Sequence, residues 1–107
     1  MFTMGWIADY PDPHNFLDIL FYTGSEVNIS EYSNLSLDAL LDQAAIEQDG
    51  AVRLAMYQQA EQLVVDEAPC LPLFHGANYI LVEPYVKGYE LSPLGVPDLS
   101  KVYIDKD

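Results

Sequence analysis

The chain has 107 residues, 50% of them hydrophobic, and sets 17 Asp and Glu against 4 Lys and Arg for a formal net charge of −13. That length holds one small domain at most, and the composition is too apolar for disorder and too interrupted for the ~18-residue apolar run of a membrane span. The acidic excess, with no basic patch, excludes a nucleic-acid backbone as partner and disfavours an anionic membrane surface; it permits a cationic ligand, or simply keeps the surface solvated.

The first stretch, MFTMGWI, has neither the charged start nor the apolar middle of a signal peptide. Phe2 to Ala8 is short, apolar and rich in β-favouring residues, and predicts a buried strand that Pro11 and Pro13 end. Residues before proline are pushed to extended geometry, so Tyr10 and Asp12 are expected to be extended. PHNFLDILFY then predicts a short helix with Pro13 in its first turn and an apolar face of Phe16, Leu17, Leu20 and Phe21.

YTGSEVNISEYSN, Tyr22 to Asn34, reads as a polar loop. In SNLSLDALLDQAAIEQ the period turns helical, with Leu37, Leu40, Leu41, Ala44 and Ala45 on one face and Ser33, Asn34 or Ser36 as the N-cap. QDG stops that helix, and Asp49 can cap the next. GAVRLAMYQQAEQLVVDEAP carries a second stripe of Val52, Met56, Ala60, Leu63 and Val64, ended by Pro69. Two helices joined by so short a turn predict an αα-hairpin.

Beyond Pro69, Leu71 to Phe74, Tyr79 to Val82 and Lys101 to Ile104 are expected strands. YVKGYE reads as a turn with exposed aromatics, in which Gly88 supplies a backbone angle other residues avoid. Together these elements give an α/β or α+β class. The strands do not complete a sheet among themselves, so the chain reads as a piece of a larger protein.

Asp9 is the sharpest candidate for chemistry. It follows an expected strand end, where ligands bind in open α/β proteins, and stands between Trp6 and Tyr10. A carboxylate with aromatic walls receives an ammonium group by ion pairing and cation–π attraction. The plain alternative is a turn-forming Asp that accepts backbone N–H bonds, and Asp12, between two prolines, fits that role better still. A glycosidase pair of Asp9 and Asp12 has no support beyond two carboxylates in an acid-rich chain. No hydrolase, metalloprotease, P-loop or dinucleotide motif is present. His14 and His75 have no partners at metal-ligand spacing. Cys70, in an apolar stretch, is expected to be a buried, inert thiol, and one cysteine leaves the redox compartment open.

GWIADYPDPHNFL, YSNLSLDALLDQA, RLAMYQQAEQLVVDEAPCLPLF and LVEPYVKGYELSPLGVPDLSKVYID, in that order, resemble the C-terminal end of the extracellular solute-binding proteins of family 5, the dipeptide and oligopeptide receptors of ABC importers. The resemblance covers essentially the whole chain. Leu35 departs from it, where the family often has Pro, and is harmless in a helix. The resemblance implies a partial lobe of the type II periplasmic-binding-protein fold within a larger, two-lobed α/β receptor. Residues 1–75 would belong to the C-terminal ligand-binding lobe, and residues 76–107 would cross back to the N-terminal lobe.

It further implies that Asp9, in Trp6-Ile7-Ala8-Asp9, pairs with a peptide's α-amino group, with Trp6 and Tyr10 as neighbouring ligand contacts. The expected partners are a peptide or related small solute and the membrane subunits of an ABC permease. No cofactor, metal or catalytic activity is expected, and the location is periplasmic or cell-surface. The competing expectation is a truncated, stand-alone fragment whose exposed half-interface self-associates.

Overall fold

A computed structural model describes residues 2–106, with three helices, one 3₁₀ turn and one short pair of strands. The chain separates into two units, Met1–Pro72 and Leu73–Asp107.

In the first unit, α1 (His14–Phe21) follows Pro13, whose backbone already lies in the helical region, as its ring prescribes. α2 (Leu35–Ile46) is capped by Asn34, which accepts from the amides of Ser36 at 2.8 Å and Leu37 at 3.1 Å. α3 (Gly50–Glu67) is capped in the same way by Asp49, with Ala51 N at 2.9 Å and Val52 N at 3.1 Å. Each such cap is worth about 1 kcal/mol. α3 ends at Ala68, held in the left-handed region at φ 47, with its N–H on the Val64 carbonyl at 2.9 Å. Pro69 then forbids continuation.

The core lies between the three helices: Leu17 from α1, Leu37, Leu41 and Ala44 from α2, and Tyr57, Ala60 and Val64 from α3. Spacings of three and four residues set each trio on one helix face. Small Ala44 and Ala60 are fully buried and let the helix axes approach. Glu67, the last residue of α3, takes hydrogen bonds from Tyr32 and Asn34, both at 2.7 Å, so α3 returns to the start of α2. The intervening loop is organised by buried Asn28, whose amide donates to the Tyr22 and Tyr32 carbonyls while its Oδ1 accepts from Ser30 and the Tyr32 amide.

In the second unit, β1 (Val86–Lys87) pairs antiparallel with β2 (Tyr103–Ile104), Val86 opposite Ile104 and Lys87 opposite Tyr103. A 3₁₀ turn over Leu99–Lys101 precedes β2 and is capped by Asp98. Gly88 lies at φ 71, and a Cβ there would collide with the Lys101 carbonyl oxygen. Its need for glycine is therefore double.

Several sequence expectations are corrected. Residues 2–8 form no strand, nor do residues 71–74 or 79–82, and most of these residues are exposed; Met1, in the MFTMGWI stretch, lies outside the described residues. A strand exists only with a ladder partner, and among the described residues none of these segments has one. Of the expected strand over Lys101 to Ile104, only Tyr103–Ile104 is paired, and YVKGYE contributes β1 rather than a turn alone. Phe16, Ala45 and Val52, expected on buried faces, are exposed, while Tyr57, omitted from the α3 stripe, is 2% exposed. Cys70 is a free, exposed cysteine, because the segment around it packs against no core. Among the described residues no helix is long and apolar enough to cross a membrane.

Candidate ligand-binding site

The loop before α1 is folded by its own polar groups. Trp6 donates its indole N–H to both the backbone carbonyl of Asn15, at 2.8 Å, and the side-chain Oδ1, at 3.1 Å. The amide of Asp9 donates to the same Oδ1 at 3.1 Å. Asn15 is 2% exposed, so one buried acceptor on α1 holds two residues of the W-x-A-D stretch. The Asp12 amide turns back to the Tyr10 carbonyl at 2.9 Å, and the Asn15 amide reaches the Asp12 carbonyl at 3.0 Å. Tyr10 lays its ring near that of His14 and shares a hydrogen bond between its hydroxyl and Nδ1.

Three carboxylates stand in or beside this loop, in three different environments. Asp12 accepts the His14 amide at 2.9 Å, as a turn-forming Asp does. It also takes both guanidinium nitrogens of Arg53, the chain's only arginine, at 2.8 and 2.9 Å. This fork ties the loop to α3 across 41 residues of sequence. The Arg53 hydrogen bonds hold the Asp12 carboxyl below its ordinary value, helped by the His14 amide and opposed by partial burial. Arg53 itself lies over the Tyr57 ring, 4.8 Å from its centre.

Asp18, one turn along α1, faces His14 Nε2 at 3.8 Å, and its Oδ2 is buried without a hydrogen-bond partner among the described residues. Burial pushes its carboxyl upward, with the His14 charge opposing. Burial, with the charge of Asp18 next, pushes the Tyr57 hydroxyl up to about 12.

Asp9 is the third carboxylate. Its residue is exposed, and among the described residues its side chain accepts no hydrogen bond and meets no cation. Its backbone is fixed while its carboxylate is open. Half-buried Trp6 stands three residues before it and exposed Tyr10 follows it. The geometry is that of a positioned carboxylate with free acceptor capacity, able to take an ammonium or another hydrogen-bond donor. Among the described residues no group of His, Cys, Asp and Glu is arranged to hold a metal ion.

No protein-family model matches the chain. The periplasmic murein peptide-binding protein MppA of Escherichia coli is 36% identical to it over 102 residues, which is 94% of this chain and 19% of that protein. A solved structure of the same murein tripeptide-binding protein superposes with a TM-score of 0.76 at 34% identity, over 95% of this chain and 20% of the other. The sequence is that of a family 5 solute-binding protein segment. The chain thus spans about a fifth of the length of the relatives it matches. Heme-binding protein A of Haemophilus influenzae is also a relative, 34% identical over 94% of this chain and 19% of that protein.

For a family 5 segment, the sequence pointed to Trp6, Asp9 and Tyr10, and all three lie on one loop. It did not point to Asn15, Arg53 or Tyr57, which hold that loop or the face beneath it. Two signals were present. An asparagine in the first turn of an apolar-faced helix is a poor helix former that needs a buried role. A lone arginine among 17 acids needs a specific partner.

Proposed function

We propose that this chain is the C-terminal part of an ABC-importer receptor that captures peptides outside the cytoplasm and delivers them to a membrane permease. Asp9 takes the ligand's α-ammonium group, Trp6 forms a wall beside it, and Tyr10 flanks it on the following side. The observation that carries this reading is the contrast between the carboxylates: Asp12 is consumed by Arg53 and Asp18 is turned inward, while Asp9 is held by its amide with its charge free. A buried ammonium needs such a partner, because an unpaired charge in a closed cleft costs several kcal/mol. A loop already fixed by prolines and by Asn15 loses little entropy when it binds.

Four relatives that match more than nine-tenths of the chain carry peptide-binding names, beside the heme-binding one, and this favours the transport reading over a stand-alone, self-associating fragment. In this reading residues 1–75 belong to the C-terminal lobe and residues 76–107 return to the N-terminal lobe. Lobe closure, a population shift toward the state that binds ligand more tightly, then presents the receptor to its permease. No bond in the ligand is made or broken.

The test uses the receptor that carries this segment, with trialanine and N-acetyl-trialanine as probes. Asp9→Ala is expected to weaken trialanine by about 2–5 kcal/mol, the range for removing one partner of a buried charge pair. N-acetyl-trialanine, which has no ammonium, should barely change. Equal losses for the two probes would defeat the anchor.

A further inference from the structure

We propose that Asn15 is a positioning residue for the ligand site, setting the angle of the Trp6 indole and the backbone of Asp9 through one shared acceptor. The inference rests on the reading of Asp9 as the amine anchor, and it adds a residue that touches no ligand.

Three observations support it. The Asn15 side chain is almost fully buried, where an amide is kept only if it is used. Its Oδ1 accepts simultaneously from the Trp6 indole N–H and the Asp9 amide, at 3.1 Å each. Those two donors come from residues three apart in the chain and converge on one atom, which fixes the turn between them. The backbone carbonyl of the same residue adds the shorter bond to the indole, at 2.8 Å. α1 therefore presents one residue as a double latch, with the aromatic wall on one side and the anion on the other.

The arrangement has a chemical consequence. With Oδ1 removed, the Asp9 amide loses its partner and the indole keeps only the carbonyl bond. The loop between Gly5 and Tyr10 then gains freedom, and the carboxylate must be ordered again each time a ligand binds. Affinity for the charged amine suffers more than general affinity for the peptide, because a point charge is more sensitive to placement than an apolar contact is.

The experiment compares Asn15→Ala with Asn15→Asp, which keeps an acceptor oxygen at the same place, and runs Asp9→Ala beside them. The first readout is acrylamide quenching of Trp6, the chain's only tryptophan, in the 107-residue chain. The second is the affinity ratio of trialanine to N-acetyl-trialanine in the receptor carrying the segment. Asn15→Ala is expected to raise quenching and to shrink the ratio about tenfold, the scale of one lost buried hydrogen bond. Asn15→Asp should preserve both.

Unchanged quenching in Asn15→Ala overturns the latch. Raised quenching with an unchanged ratio overturns the ligand-positioning role and leaves Asn15 merely structural. A ratio that falls in Asp9→Ala but not in Asn15→Ala sinks the positioning role alone. A ratio indifferent to Asp9→Ala sinks the anchor itself, and this inference with it. Should Asn15→Ala lose its helical signal, Asn15→Leu refills the volume without an acceptor, and the same outcomes apply.

Discussion

Replacing Arg53 by Met keeps most of the side chain's aliphatic length and removes the fork that joins the loop before α1 to α3. The loss can be worked out from the contacts. The ion pair with Asp12 is bidentate, at 2.8 and 2.9 Å, and its two side chains are 28% and 32% exposed. Solvent screens a pair so placed, so it contributes about 1 kcal/mol rather than the several of a fully buried one. The stack of the guanidinium on Tyr57, at 4.8 Å, adds about 0.5–1 kcal/mol. Arg53→Met should therefore destabilise the chain by about 1–2 kcal/mol, or roughly 5–15 °C in melting temperature for a domain of this size. Asp12 is accessible enough to rehydrate, which holds the figure down.

The assay is urea and thermal denaturation followed by far-ultraviolet circular dichroism, on the wild type, Arg53→Met, Asp12→Asn and the double variant. The double-mutant cycle isolates the pair, with a coupling of about 1 kcal/mol expected. The pH dependence has a definite sign. Asp12 has a folded pKa below its ordinary 3.8, so its contribution is present at and above that ordinary value and is lost as pH falls through the depressed folded one. The stability gap between wild type and Arg53→Met should stay constant from neutral pH to about 5 and then close in stronger acid. A coupling indistinguishable from zero, or a gap that widens in acid, would refute the reasoning.

Two further outcomes follow from backbone geometry and exposure. Ala68 sits in the left-handed region at φ 47, so Ala68→Gly should stabilise the chain by about 0.5–1 kcal/mol in urea unfolding, and a destabilisation would mean that α3 does not end there. Cys70 is exposed, so a chromogenic disulfide reagent should titrate it fully in the native protein without denaturant, whereas reaction only after unfolding would place it in a core.

Much of the helical unit was legible in the sequence, and the reasons are local. Asp49 was readable as a cap, and Asn34 as one of three candidates with Ser33 and Ser36, because such side chains satisfy amides two and three residues on, a relation contained within one turn. Pro69 set the end of α3 for an equally local reason. Leu37, Leu41 and Ala44 were legible through period alone. Tyr57 was not, because its hydroxyl concealed a ring that is almost wholly buried and carries Arg53 on its face.

The failures are non-local. Phe2 to Ala8 and Leu71 to Phe74 have the composition of strands, but composition gives only a willingness to pair, and no partner is hydrogen-bonded to them among the described residues. Cys70 was misplaced for the same reason, since apolar neighbours bury a thiol only when another layer covers them. Of the loop before α1, Trp6, Asp9 and Tyr10 were marked by residue type and by the family resemblance. The frame around them was not, because a hydrogen bond across 41 residues, as between Asp12 and Arg53, leaves no trace in spacing.

The central claim is that Asp9 receives an amine. The most direct measurement is a crystal structure of the receptor carrying this segment with trialanine bound. The account predicts the peptide's α-ammonium nitrogen within about 3 Å of an Asp9 carboxylate oxygen, the distance of a charge-assisted hydrogen bond, with the Trp6 indole still on Asn15. An ammonium held elsewhere, with the Asp9 carboxylate facing bulk water, would contradict it.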